Sequence, residues 1–549
     1  MEKRTLIALA LSFMVLGFYP MILQKFYPDY YKNKKTSQSV PEKAFHAAAG
    51  NPAAVEKLVK AGTFSPEEDL RFRSDTLQLV FNKKDGGIRE ISFPRYTDSE
   101  TSRPIKFLSL KDLGVSPAAL VLTSGGDSSL VTDHAGEFVS DRLSLQALAL
   151  GGKVRVTKNF EFNAVDSAGI IKTKYSAKLK IRFENTTSSP LEMNYEFLVG
   201  SGITPRHSID DQYIEANFFS AAGGKTSLKH LKESRSGKQA SSGGPVRWAA
   251  VKDRHFSVIA EPQARDSMTG LVRGLGGHNF SASLVSPVRT LAAGASIEDE
   301  FLLYLGPNEL ENLLVLGLSD LVNFGKFDPI GKLFVGSLEL LKKICRSYGL
   351  AIIALTALIN LILFPLTRVS YMSMKRMQLI QPQMAKLREQ HKKNPDKLNK
   401  EMMELYKKHK VNPFGGCIPM IVQIPIFIAL YVALSKSVIL INSKFLWIKD
   451  LSSPDRVYLP FSLPFAGNYI HLLPLLMVAA MAVQQKFTQI KIENQDPTME
   501  TQQKMMAVMM PVIFGFVFYQ MPSGLVLYWL TNTLIMATYQ LRLKKMTLA

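Results

Sequence analysis

Five long apolar segments occupy the last third of the chain, at residues 347–366, 416–438, 470–483, 505–521 and 524–540. A helix of roughly 20 residues crosses about 30 Å of hydrocarbon, and the bilayer interior admits only backbones whose polar groups are satisfied internally. These segments therefore predict a helical core embedded in a membrane. The run at 470–483 is short and must borrow flanking residues. Another apolar run, 6–23, follows Lys3 and Arg4. It is longer than a typical signal core and meets no small-x-small cleavage site before Lys25, so a retained first span is expected.

Charge orients these spans. Arg368, Lys375, Arg376, Lys386, Arg388, Lys392, Lys393, Lys397, Lys400, Lys407, Lys408 and Lys410 crowd the connection between the first two core segments. A loop this short and this basic is held on the cytoplasmic side. Alternating the spans from there places Lys3 and Arg4, the loop around Lys486 and Lys491, and Arg542, Lys544 and Lys545 on that same side. Both termini are thus expected in the cytoplasm, and the stretch from Lys25 to about Gly325 outside. The formal charge of +20 then reflects topology and attraction to anionic lipid, and no nucleic acid is expected as a specific ligand. Cys345 and Cys417, the two cysteines, fall on opposite sides of the membrane in this topology. Neither a disulfide nor a cysteine metal site is expected.

The outer region has the texture of a β-sandwich. A linker at 25–66 precedes runs of alternating polarity at 77–81 and 88–93, which read as a hairpin around Lys83-Lys84-Asp85-Gly86-Gly87. Similar runs at 154–162, 170–185, 193–199, 246–250, 256–260 and 297–304 extend the pattern across a domain spanning 67–325. The Gly- and Ser-rich stretch 234–244 reads as a loop, and His230, His255 and His278 as surface or loop residues. The domain contains no phosphate loop, zinc-binding helix motif or nucleophile elbow, so neither cofactor nor metal nor enzymatic activity is expected. In 326–346, Ile330, Leu333, Phe334, Leu338 and Leu341 recur at helical spacing opposite Lys332, Glu339, Lys342 and Lys343. That amphipathic helix lies either in the outer membrane interface or against the β domain, and periodicity does not separate the two.

Within the basic loop, 367–413, Met374, Met377, Gln381, Met384 and Leu387 share one helical face, and Leu398, Met402 and Leu405 another. Asn394-Pro395 between them supplies a cap and a first-turn proline, which predicts an antiparallel helical hairpin. Its methionines either fill the seam or form an adaptable landing surface for a partner chain, ribosome or lipid headgroup. At membrane depth, Thr356 and Asn360 share a face, Gln423 stands between Pro419 and Pro425, and Tyr528, Thr531 and Asn532 form a third polar set. Such residues either join helices by hydrogen bonds or converge on a hydrated hollow.

Phe364-Pro365-Leu366-Thr367, the run Val411-Asn412-Pro413-Phe414-Gly415-Gly416-Cys417-Ile418-Pro419 with Gln423-Ile424-Pro425-Ile426-Phe427, Leu446-Trp447-Ile448-Lys449-Asp450-Leu451, and Met521-Pro522-Ser523-Gly524-Leu525-Val526-Leu527-Tyr528-Trp529 together resemble the YidC/Oxa/Alb family of membrane protein insertases. A first span ahead of a large outer β domain resembles the YidC form of Gram-negative bacteria. The resemblance implies a polytopic α-helical membrane protein of the cell inner membrane with six transmembrane helices. The first is 1–24, and a five-helix insertase core fills 347–541. A periplasmic β-super-sandwich, the interfacial helix 326–346 and a cytoplasmic tail 542–549 complete it.

By the same resemblance, the chain is an insertase and chaperone for nascent membrane proteins, independent of or together with the Sec translocon, with weak or transient ribosome contact. A lipid-open hydrophilic groove falls to Thr356, Asn360, Gln423, Tyr528 and Asn532. Substrate contact falls to Cys417, Pro419, Pro425, Phe427, Met505, Met509 and Met510, and recruitment to Lys375, Arg376, Lys386 and Arg388 on the hairpin. Asn360 departs from the family pattern, which usually places an arginine there, so the groove is expected to be polar without a fixed charge. A secondary transporter is the alternative, although the spans show no evident inverted repeat and no central carboxylate or histidine for ion coupling.

Overall fold

The computed structural model describes residues 69–545 except 99–100, 110–115, 163–172, 202, 204–212, 223–224, 232–238, 265–267, 277–278, 319–320, 323, 325–327, 392–393, 410, 412–417, 464–466 and 489–496. The apolar run 6–23, the linker 25–66, His278 and Cys417 lie outside the described residues.

The hairpin read from the sequence is present: strand Gln78–Asn82 pairs antiparallel with Gly87–Thr97. Gly86 turns between them at φ +62, a conformation that costs glycine little. Strands Asp69–Arg73 and Pro104–Ser109 complete a four-stranded sheet. Among the described residues, fifteen strands between Leu120 and Pro307 form a second, antiparallel sheet. In its middle, Gln239–Lys252, Phe256–Pro262, Ser296–Pro307, Ser176–Asn185 and Val154–Phe162 pair in that order. Phe197 and Phe301 sit on strands five places apart in the sheet, yet their rings stack at 4.5 Å. The sheet therefore folds over on itself, and the two inner faces make one sandwich core around Trp248, Tyr195 and Tyr304.

Two sequence expectations change here. Strand Gln239–Lys252 begins inside the Gly- and Ser-rich stretch, because pairing with Thr269–Gly276 satisfies its backbone despite the loop-like composition. His255 is buried, not at the surface. Its amide donates to Asp253 Oδ1 at 2.6 Å and its carbonyl accepts from Asn308 at 2.7 Å, which folds the turn inward.

Strand Val154–Phe162 buries every second residue, and Lys158 occupies an inward position. Its ammonium donates to the carbonyls of Ala118 at 2.9 Å, Gly86 at 3.0 Å and Asp85 at 3.3 Å. Burial lowers its pKa to about 7 against the opposing pull of Asp85, whose own carboxyl burial pushes up. His134, against the same turn, is buried too, and burial with the nearby Lys158 lowers its pKa to about 3.

Eight helices follow among the described residues: α1 (Leu310–Val315), α2 (Asp328–Cys345), α3 (Tyr348–Gln390), α4 (Pro395–Lys408), α5 (Ile418–Lys436), α6 (Leu472–Thr488), α7 (Pro497–Phe518) and α8 (Ser523–Lys545). The first core span and the first hairpin arm are one helix: α3 has 43 residues and runs through Pro365 and Pro382. At 1.5 Å per residue it is roughly 65 Å long, about twice the hydrocarbon thickness, so much of it lies outside a bilayer. Its stretch Tyr348–Met377 is long and apolar enough to cross a membrane. Shorter apolar helical stretches are Val422–Lys436, Leu472–Gln485 and Ala507–Phe518. Asn394 caps α4 by accepting from the Lys397 amide at 3.1 Å. His391 Nε2 lies 2.9 Å from a Glu401 carboxylate oxygen across the hairpin, and no described residue of α4 is buried.

α2 buries Phe334, Val335 and Leu338 in the core that α3, α5 and α8 share, while Leu333, Leu340 and Ile344 stay exposed. The β domain docks on the last turn of α5 and the segment after it. Val438 and Ile441 enter the sandwich core, and the Ser435 carbonyl accepts from Arg254 Nε. Asn442 Nδ2 donates to the Thr97 carbonyl at 2.6 Å while its Oδ1 accepts from the Thr97 amide at 2.7 Å.

Candidate functional site: polar contacts between apolar helices

α8 carries Tyr528 and Asn532 one turn apart, and each reaches a different neighbour. Asn360 Nδ2 on α3 donates to Asn532 Oδ1 at 2.9 Å and to the Thr356 carbonyl at 2.9 Å. Thr356 Oγ1 donates back to the Ile352 carbonyl at 2.6 Å. On the other side, Gln423 Nε2 of α5 donates to Tyr528 Oη. Thr356, Asn360 and Tyr528 are buried, whereas Gln423 and Asn532 are half-buried. The five polar residues singled out in the sequence thus form two hydrogen-bonded contacts along one helix, and none of them carries a charge.

Beside this seam lies an aromatic cluster. Trp529 meets Phe427 of α5 edge-on at 5.0 Å and Phe514 and Phe518 of α7 at 5.2 and 5.3 Å. Phe427 therefore packs between helices. Pro425 lies inside α5, half-buried, and Pro419 lies in its first turn. α7 differs: Met505, Val508, Val512 and Phe516 recur three or four apart and are exposed, Phe516 at 85%. Met510 is exposed as well and Met509 half-buried, so α7 presents a continuous apolar stripe. On the hairpin arm of α3, Arg376 and Lys386 are exposed, and Lys375 and Arg388 half-buried.

The sequence did not reveal a third feature, a knot in the connection between α5 and α6. Buried Asp455 accepts from Leu473 N in the first turn of α6 at 2.9 Å and from Trp447 Nε1 at 3.1 Å. Asp450 accepts from the Ser452 amide at 2.8 Å. The Ser453 and Leu451 carbonyls accept from Ser523 N and Gly524 N, both at 2.9 Å, at the start of α8. One loop therefore fastens one end of both α6 and α8. Two aspartates between apolar segments were its visible signal, since a buried carboxylate needs donors.

Hydrogen-bonded apolar helices beside a β-sandwich define a helical membrane protein with a large extramembrane domain. Residues 340–548 match the family model described as 60Kd inner membrane protein, and residues 69–336 that of the YidC periplasmic domain. The chain is similar to membrane protein insertase YidC of Geotalea daltonii, 30% identical over 99% of both chains. It is 33% identical to that of Citrifermentans bemidjiense, again over 99% of both. Among solved structures, the active YidC insertase with its first transmembrane domain resolved aligns at TM-score 0.37 and 20% identity, over 92% of this chain and 99% of that one. The chain belongs to the YidC family of membrane protein insertases, a family of inner-membrane proteins that is not one of catalytic enzymes.

Proposed function

We propose that this insertase passes nascent membrane proteins into the inner membrane along the seam between α3, α5 and α8, with the α7 stripe as the apolar side of the path. The observation that carries the reading is the pairing of Asn360 with Asn532 and of Gln423 with Tyr528 on one helix. These groups offer a substrate's polar flank exchangeable hydrogen bonds at membrane depth, where unpaired polar groups are costly. An apolar segment of 20 residues gains on the order of 6–12 kcal/mol on entering the bilayer, whereas one charged residue at its centre costs about 2.5–3.5 kcal/mol. Insertion is therefore downhill once the polar flank is helped across, and no nucleotide hydrolysis is required.

In this reading there are six spans, both termini are cytoplasmic and the β domain at 67–325 is periplasmic. The basic hairpin 367–413, with Lys375, Arg376, Lys386 and Arg388, recruits clients and contacts anionic lipid and, transiently, the ribosome. Work beside the Sec translocon belongs to the same reading. The test is site-specific photocrosslinking of a ribosome-bound single-span client to probes at Gln423, Asn532 and Phe516. Crosslinks at all three support the path. Crosslinks confined to Phe516 would leave the polar seam a structural glue.

A further inference from the structure

The connection between α5 and α6 carries a strand pair, Val457–Leu463 with Gly467–Ile470, whose outward residues are unusually apolar. Tyr458 is 63% exposed, Phe461 58% and Tyr469 46%. Leu446, beside Trp447 in the same connection, is 76% exposed and held in the left-handed region at φ +52. A leucine in the left-handed region, with its side chain in the open, combines two unfavourable states that an aqueous surface loop has no reason to hold. Tyr458 and Tyr469 face each other across the pair at 5.8 Å, and Arg456 lies over the Tyr469 ring.

We propose that this strand pair and the Leu446–Trp447 turn form an anchor whose rings sit just beneath the headgroups, at the boundary with the acyl chains, with anionic phospholipid as the partner. Three observations commit the surface to lipid. Apolar helix α6 starts at Leu472, just beyond Ile470, so the pair stands where the helical core leaves hydrocarbon. Its exposed residues are mostly tyrosine, tryptophan and phenylalanine, amphipathic or bulky rings of the kind that settle at the membrane–water boundary. Lys444, Lys449 and Arg456 are exposed around them, which complements anionic headgroups. Asp455 gives the anchor a fixed aim, because its carboxylate joins Trp447 to the first turn of α6. Seated this way, the anchor holds the ends of α5 and α6 at a set depth.

The test uses the full chain in vesicles of phosphatidylethanolamine and phosphatidylglycerol, with Cys345→Ser and Cys417→Ser, and a nitroxide on Tyr458→Cys or, separately, on Phe461→Cys. Leu148→Cys on the β domain is the aqueous control. Collisions with oxygen are expected to exceed those with a water-soluble nickel chelate at 458 and 461, and the reverse at 148. Chelate-dominated collisions at both sites would overturn the proposal. So would low access to both reagents, which would mean that protein covers the surface, a second copy included. The readout needs no insertion activity, so a failure here is distinct from a failure of the insertion path.

Discussion

Asn360 on α3 donates its side-chain amide to the side-chain oxygen of Asn532 on α8 at 2.9 Å, joining two apolar helices through an uncharged pair. In membranes such a bond contributes about 0.6 kcal/mol on average and at most ~1.7 kcal/mol. Asn360→Leu and Asn532→Leu are each expected to lower stability in detergent by about that amount. The double variant should lose less than the sum, since either change alone already breaks the bond. Strict additivity in thermal unfolding would show that the two amides do not act together.

The docking of the β domain depends on Asn442, which exchanges two hydrogen bonds with Thr97 at φ +58. Asn442→Ala should cost about 1–3 kcal/mol, the sum of two net hydrogen bonds. Hydrogen exchange should report faster opening of residues 435–443 and of strand Gly87–Thr97. Asn442→Gly tolerates the same backbone but lacks the side chain, so it should open as fast. Full protection in the glycine variant would mean that the bonds contribute nothing.

His134 sets an acid limit on the sandwich. Burial lowers its pKa to about 3, so between pH 6.5 and 3 the unfolded chain binds a proton there that the folded chain does not. Its contribution is in place above pH 6.5 and is lost as pH falls through that window, at up to ~1.4 kcal/mol per pH unit. Unfolding of the β domain in wild type and His134→Leu, followed from pH 7 to 4, should show the wild type losing stability more steeply. Parallel profiles would rule out a buried neutral imidazole.

Gly349 opens α3 against the ring of Phe445, and a Cβ at that position would overlap both the ring and the Phe445 Cβ. Gly349→Ala is expected to destabilise the core by about 1–3 kcal/mol through overpacking. Phe445→Ala should recover part of the loss in the double variant, because it removes the ring. An unchanged melting temperature for Gly349→Ala would mean that the loop and α3 are not in close contact.

Much of this architecture was legible because it follows local rules. Strand Val154–Phe162 alternates in the sequence and in its burial, and Asn394-Pro395 caps α4 as such a pair should. Lys158 was visible as a lysine at the inward phase of an alternating strand, but its carbonyl partners lie 40 to 73 residues away. The pairing of Asn360 with Asn532 spans 172 residues, so the sequence named both amides without joining them. α3 passes Pro365 unbroken, although the proline has no amide hydrogen to donate to the Leu361 carbonyl one turn back, so local sequence alone would have placed a break there. For the Asp455 knot the sequence showed a carboxylate between apolar segments but not its donors, Trp447 and Leu473, which only the tertiary fold brings to it.

The most direct measurement is insertion of a short, Sec-independent single-span client into proteoliposomes containing only this protein, scored by protease protection. Wild type, Asn360→Leu and Asn360→Arg are compared at equal, verified folding. Insertion by wild type well above empty liposomes, with a marked loss in Asn360→Leu and activity retained in Asn360→Arg, is expected if a polar seam carries the client's flank. Full activity in Asn360→Leu for every client tested would contradict the role of the seam, and wild-type insertion no better than empty liposomes would contradict autonomous insertion.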